Sequence, residues 1–185
     1  MIISEETPVC PECGRPLKLR DHRRRIHKKA GGEREWYLIP RWECRNPDCQ
    51  CRIHSGIPDS LTPHKHYDAG LIEDVIEDRK TPEDLETEDY PCEQTMALWK
   101  VWIERNRANI DGQLRSIGHR LLEFGIEFLN DRSSLLEELR RKICPGWLKA
   151  LCTVIWNTGG WIPPLGKVES THPLLFADTE GGWIR

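Results

Sequence analysis

Cys10-Pro11-Glu12-Cys13-Gly14 and, further along, Cys44-Arg45-Asn46-Pro47-Asp48-Cys49 are the stretches on which the reading of this chain turns. Two cysteines three apart, followed by glycine, curl both sulfurs and the intervening backbone amides around one metal ion. The second pair supplies two more thiolates, and four thiolates at about 2.3 Å complete a closed tetrahedral zinc site. The expected ligands are Cys10, Cys13, Cys44 and Cys49, holding one structural Zn2+. A closed site has no open position for water, so the ion contributes folding free energy rather than chemistry.

Neighbouring residues complicate the ligand set. Cys51 lies two residues from Cys49 and competes with it as the partner of Cys44. His54, His64 and His66 are further donors, although lone histidines near proline usually serve as surface or hinge residues. Iron is the rival metal, because Cys-Pro-x-Cys-Gly is also a rubredoxin-like knuckle. A rubredoxin-like site wants two matching knuckles, and the second stretch does not match the first, which favours zinc. Of the 8 cysteines, only these have metal-site spacing. Cys92, Cys144 and Cys152 sit in helical patterns and read as small, buried or half-buried apolar residues.

The start, Met-Ile-Ile-Ser-Glu-Glu, has no basic region followed by an apolar run. No later stretch approaches the roughly 18 apolar residues of a membrane span. The expectation is a soluble cytoplasmic protein without a membrane partner, in which reduced cysteines bind metal rather than form disulfides. With 185 residues, the chain has room for a small metal module and a helical domain.

Between the cysteine pairs the pattern is that of a hairpin, with Ala30-Gly31-Gly32-Glu33 as the turn. Trp36, Leu38 and Trp42 alternate with Tyr37, Ile39 and Arg41, the period of a strand with one face packed. Pro40 argues for an edge strand or a bulge. The net charge of -3 is sharply segregated. Residues 1–67 carry 13 basic against 9 acidic side chains, residues 68–94 carry 2 against 11, and residues 95–185 carry 12 against 10. From Arg15 to Lys29 there are 8 basic residues and one acid, Asp21. Such a run attracts phosphates and makes binding salt-sensitive; the plainer reading is the solvated face of a surface hairpin.

After a Pro- and His-rich connector, Leu71, Ile72, Val75 and Ile76 recur at helical spacing. Thr81-Pro82-Glu83-Asp84 has the form of a helix start, with Thr as N-cap and acids in the first turn. Pro91 marks a break, and Met96, Trp99, Trp102 and Ile103 form the stripe of a third helix ending near Arg107. Further helical stripes run from Ile110 to Phe128, from Leu135 to Ile143, and from Trp147 to Trp156, before a Gly/Pro-rich tail. The expected fold is mainly α with a small β zinc ribbon at the N-terminus, followed by a helix-turn-helix-like three-helix unit and further helices. The expected segments are a zinc ribbon over 1–55, a connector over 56–67, the helix-turn-helix-like unit over 68–107, C-terminal helices over 108–157 and an irregular tail over 158–185.

The knuckle, the basic hairpin, the second cysteine pair and the run Ile57-Pro58-Asp59-Ser60-Leu61-Thr62-Pro63-His64-Lys65-His66-Tyr67 occur together. In this combination the chain resembles uncharacterised bacterial zinc-ribbon proteins, grouped as a domain of unknown function, that look like the DNA-binding front end of insertion-element transposases. The resemblance covers about residues 8–107. It implies DNA binding, with a recognition helix opened by a Thr-x-x-x-Trp pattern matched here by Thr95-Met96-Ala97-Leu98-Trp99.

A recognition helix presents short polar and basic side chains opposite its packed face, which points to Gln94, Thr95, Lys100 and Arg105. Arg20, Arg23, Arg24, Arg25, Lys28 and Lys29 of the hairpin are the expected phosphate contacts on double-stranded DNA. Glu83, Asp84, Glu86, Glu88 and Asp89 run against this, since they precede the recognition helix and repel phosphate. The functional expectation is a DNA-binding regulator or accessory factor that is not an enzyme. The residues after Asp111 offer helices too few and too short for an RNase-H-like domain, and Asp131, Glu137 and Asp178 do not suit its metal-binding triad. The alternative is an adaptor whose stripe from Ile110 to Phe128 binds a protein partner or a second copy.

Overall fold

The computed structural model describes residues 8–29, 31–50, 52–84, 91–123, 125–130 and 132–165. Strands β1 (Leu17–Lys28) and β2 (Arg34–Cys44) form a long antiparallel hairpin. Its turn uses Gly31 and Gly32 at φ +83° and +84°, a region in which other residues are strained. A short β3 (Ile53–Ser55) pairs with Arg41–Glu43, giving the order β1-β2-β3. β2 is therefore central at its cysteine end and an edge strand beyond it. Pro40 stands where β3 stops: its carbonyl still accepts from Gly56 N–H at 2.9 Å, and its missing donor falls where no neighbour needs it. The bulge is in β1, between Leu19 and Asp21.

The pleat assigns the side chains to two faces. Asp21, Arg23, Arg25 and His27 lie with Glu35, Tyr37, Ile39 and Arg41 on the inner face, where Ile39 and His27 are buried. Trp36 and Leu38 lie on the other face and are exposed, so the packed side of β2 is the one that carries Ile39.

The hairpin is stitched to the helical body at its tip. Lys28 N–H donates to the His66 carbonyl and Asp68 N–H to the Lys28 carbonyl, both at 2.8 Å. Asp68 then caps α1 (Ala69–Ile76), its Oδ1 accepting from Gly70 N–H at 2.8 Å. Its Oδ2 lies 3.0 Å from Nε2 of the buried His27, whose Nδ1 is 3.2 Å from the Tyr37 hydroxyl.

The remaining helices are α2 (Glu93–Leu121), α3 (Ile126–Asn130), α4 (Leu135–Lys142) and α5 (Trp147–Asn157). Ile72, Val75, Met96, Trp99, Trp102, Ile110, Leu148 and Ile155 belong to one continuous core between α1, α2 and α5. The expected helix-turn-helix is not confirmed. Of its second helix the described residues include one 3-10 turn, Pro82–Asp84, in which the Thr81 hydroxyl donates to Asp84 at 3.1 Å; residues 85–90 lie outside the described residues. Its third helix does not end near Arg107, because α2 continues through that expected boundary to Leu121. Asn106 is buried there, its amide donating to the Trp102 carbonyl at 2.8 Å and to Pro163 O at 3.2 Å. Phe128 falls in the separate helix α3. Residues 161–165 have no regular structure but are strapped onto α2 by Trp102 Nε1–H, which donates to Pro163 O at 2.8 Å. Glu86, Glu88, Asp89, Asp131, Asp178 and the tail from residue 166 lie outside the described residues.

Glu73 locks the helical body together. It is 1% exposed, and its carboxylate accepts from Gly146 N–H at 2.7 Å and Leu148 N–H at 3.0 Å, while Arg79 pairs with it at 3.0 Å. An acid on α1 thus caps the positive N-terminus of α5. Replacing Glu73 with Ala leaves the buried Leu148 amide and the half-buried Gly146 amide without their acceptor, while Arg79 keeps Asp74, and should destabilise the protein by about 3 kcal/mol in denaturant titrations. A loss below about 1 kcal/mol would show that this cap is dispensable.

Candidate metal centre

Two backbone loops aim four sulfurs at one point. In the first, Gly14 adopts φ +68°, which lets its N–H donate to the Cys10 carbonyl at 2.8 Å, while Cys10 N–H donates to Arg15 O at 2.9 Å. In the second, Cys49 N–H donates to Asn46 O at 3.1 Å, and Cys44 N–H donates to Arg52 O at 2.8 Å. The Sγ atoms of Cys10, Cys13, Cys44 and Cys49 all lie within 4.8 Å of one another. Cys10 and Cys49 are 3.7 Å apart, and Cys13 and Cys44 are 3.5 Å apart. Four sulfurs tetrahedrally placed around an ion at 2.3 Å would be separated by about 3.8 Å, so the cluster has the dimensions of a metal cage. Cys10, Cys44 and Cys49 are buried and Cys13 is half-buried.

The cage also favours ionised sulfur at one corner. The Arg15 backbone amide and side-chain contacts with Asn46 and Cys44 hold the Cys13 thiol down at about 7. Cys44 goes the other way: a hydrogen bond with the Asn46 backbone lowers its pKa, but burial and the adjoining Cys13 together raise it. Buried thiols this close cannot all ionise without a cation among them, so a bound ion must displace protons.

Two residues outside the four complete the surroundings. β3 places His54 opposite Trp42, with its Nε2 3.4 Å from Cys10 Sγ. His54 is therefore a partner of a ligand, a role its position in the sequence did not reveal. Glu12 Oε2 accepts from the Cys49 thiol at 3.1 Å. His64 packs edge-on against Trp161 at 5.0 Å, and the His66 carbonyl pairs with Lys28, so neither histidine joins the cluster. Cys51 lies outside the described residues. Cys152 is buried in α5 as expected, but Cys92 and Cys144 are exposed, because they stand outside the helices, at the N-cap of α2 and in the turn between α4 and α5.

The first knuckle rests against the helical body. A Cβ added at Gly159, φ +79°, would stand 3.4 Å from the Pro11 carbonyl, so the turn after α5 abuts the metal loop. Gln113 of α2 holds that turn from both sides, donating to Trp161 O at 2.6 Å and accepting from Trp161 N–H at 2.8 Å.

The expected DNA contacts divide into structural and exposed groups. Arg25 donates to the carbonyls of Thr62, at 2.8 Å, and Lys65, so it pins the connector to the hairpin. Burial, with the neighbouring Arg23 charge, holds its guanidinium below the ordinary arginine value. Lys29 pairs with Glu35 at 2.5 Å, Lys28 sits 5.0 Å over the Tyr67 ring, and Lys100 pairs with Asp78. Arg20 lies 3.7 Å from Asp21. Thr95 is half-buried, its hydroxyl 3.2 Å from Cys92 Sγ. Arg23, Arg24, Gln94 and Arg105 are exposed.

Purified protein should contain one metal ion per chain, and Cys13→Ser or Cys44→Ser should abolish it. His54→Ala should keep the stoichiometry while weakening retention against a chelator by about tenfold. Loss of the ion in His54→Ala would instead make His54 a ligand.

No curated protein and no solved structure matches this chain. Residues 10–99, which span the metal centre, the hairpin, the connector, α1 and the start of α2, match the model of a family described as a domain of unknown function (DUF6431).

Proposed function

We propose that the chain is a zinc-dependent DNA-binding protein, a transposase-like regulator or accessory factor without a catalytic domain of its own. The observation that carries this reading is the solvent-facing part of the cationic hairpin, Arg23 and Arg24, held rigid between a four-sulfur cage at its base and the α1 cap at its tip. Zinc is the ion that best suits four thiolates in a closed tetrahedron. Arg23 and Arg24 meet phosphates in this reading, whereas Arg25 serves the fold. Gln94 and Arg105 on the exposed side of α2 are secondary contacts. The exposed acids Glu83 and Asp84 lie on a separate turn.

A second reading is an adaptor role. Most of the stripe that starts at Ile110 is used internally, with Ile110 and Ile117 buried and Leu114 against the core. What remains outward is the turn between α2 and α3, where Leu121, Leu122 and Ile126 are exposed. A protein partner that stays bound after nuclease and high salt would favour this reading.

Fluorescence anisotropy with mixed-sequence duplex DNA separates the two. Affinity should fall steeply as salt rises, and Arg23→Ala and Arg24→Ala should each lower the log–log salt slope by about one. Arg25→Ala should lower thermal stability by releasing the connector. Absence of duplex binding at low salt would rule out the DNA reading and leave the metal centre untouched.

A further inference from the structure

The outer face of the hairpin differs in kind from its inner face. By register, Arg24 is opposite Leu38, Ile26 opposite Trp36, and Lys28 opposite Arg34, on the face away from the connector, except that Lys28 at the tip turns onto the Tyr67 ring. No carboxylate lies on that face of β1 and β2, whereas Asp21, Glu35 and Glu43 all lie on the other. In its midst Trp36 is 59% and Leu38 66% exposed. The Arg24 guanidinium lies over the Trp36 ring, 5.0 Å from its centroid. An indole left this open on a twisted ribbon contributes little to the hairpin's own packing, and the helical body lies on the opposite side.

We infer that this face binds unpaired nucleotides, with a base stacking on Trp36 beside Leu38 while Arg24 and Arg34 lie along the phosphates. The inference rests on the nucleic-acid reading above and specifies which form of nucleic acid is preferred. The duplex hides the flat faces of its bases, so an exposed indole gains little from it. A strand with unpaired bases offers a π-face for every nucleotide, and alternating cationic and aromatic side chains are the physical means of holding such a strand. The absence of acids on the face gives the charge complementarity that a polyanion needs. Arg24 serves twice here, since its guanidinium polarises against the indole and remains within reach of a backbone phosphate.

The test uses the full chain with its metal bound. Labelled single-stranded DNA and the matching duplex are titrated by anisotropy at one salt concentration, for the native protein, Trp36→Ala and Trp36→Phe. Unchanged circular dichroism confirms that each variant is folded. The expected result is tighter binding of the single strand, weakened about tenfold by Trp36→Ala and largely restored by Trp36→Phe, with duplex affinity nearly unchanged. An oligouridine strand run in parallel shows whether DNA or RNA supplies the unpaired bases, and a Trp36-dependent preference for either supports the inference. Duplex binding without any Trp36-dependent single-strand preference would overturn the inference while the duplex reading stands. Binding of neither form would overturn both. Self-association lost in Trp36→Ala, with no single-strand preference, would also overturn it and assign the face to a second copy of the chain.

Discussion

Four sulfurs drawn within 4.8 Å of one another set the terms for the N-terminal part of the molecule. Its own packed cluster consists of Cys10, Leu17, Cys44 and Cys49, with Cys13 and Trp42 partly covered against them. So little apolar area cannot offset the conformational entropy of two long strands and two loops. A metal ion held by the four thiolates would supply what the side chains lack, since the free energy of ligation is folding free energy in a module of this size. The hydrogen-bonded loops around Gly14 and Asn46 fix the directions of the sulfurs, and the strand register brings the two loops together.

The far end of the hairpin depends on a different kind of bond. There the buried His27, the Asp68 cap and the Arg25 contacts join β1 to the connector and α1, so the tip is held by polar groups, whereas the base ends in the four-sulfur cluster. Behind it, Glu73 joins α1 to α5, and Gly159 rests the end of the helical body on the first knuckle. The hairpin is therefore clamped at both ends with one broad face turned outward. Rigidity of this sort matters for binding, because an element already ordered gives up little entropy when a ligand arrives.

The parts legible in the sequence were those governed by local spacing. The clustering of Cys10, Cys13, Cys44 and Cys49 could be read because a metal loop is built from a few consecutive residues. Met96, Trp99, Trp102 and Ile103 could be read as one core stripe because a helix repeats locally. The length of α2 could not, because Asn106 and Asn109 weaken a helix on propensity alone, and only the distant Pro163 carbonyl gives Asn106 a reason to be there. Alternation in β2 predicted two faces without telling which one Ile39 would bury, since that depends on where the connector passes. The basic run was visible as charge, but the pairing of Arg25 with connector carbonyls and of Lys29 with Glu35 arises from the folded chain. His54 could be named in the sequence as one of three possible donors but not told from His64 and His66, as its closeness to Cys10 is a product of β3 pairing across β2.

The central claim, that the hairpin depends on the four-thiolate cage while the helical body stands on its own core, is tested most directly by amide hydrogen exchange before and after metal is removed with a chelator. The account predicts that protection is lost at Cys10–Leu17, at Cys44–Cys49 and along the base of β1 and β2, while α1, α2 and α5 keep theirs. Equal protection in the two states would contradict it, because the knuckles and the hairpin would then be shown to fold without the ion.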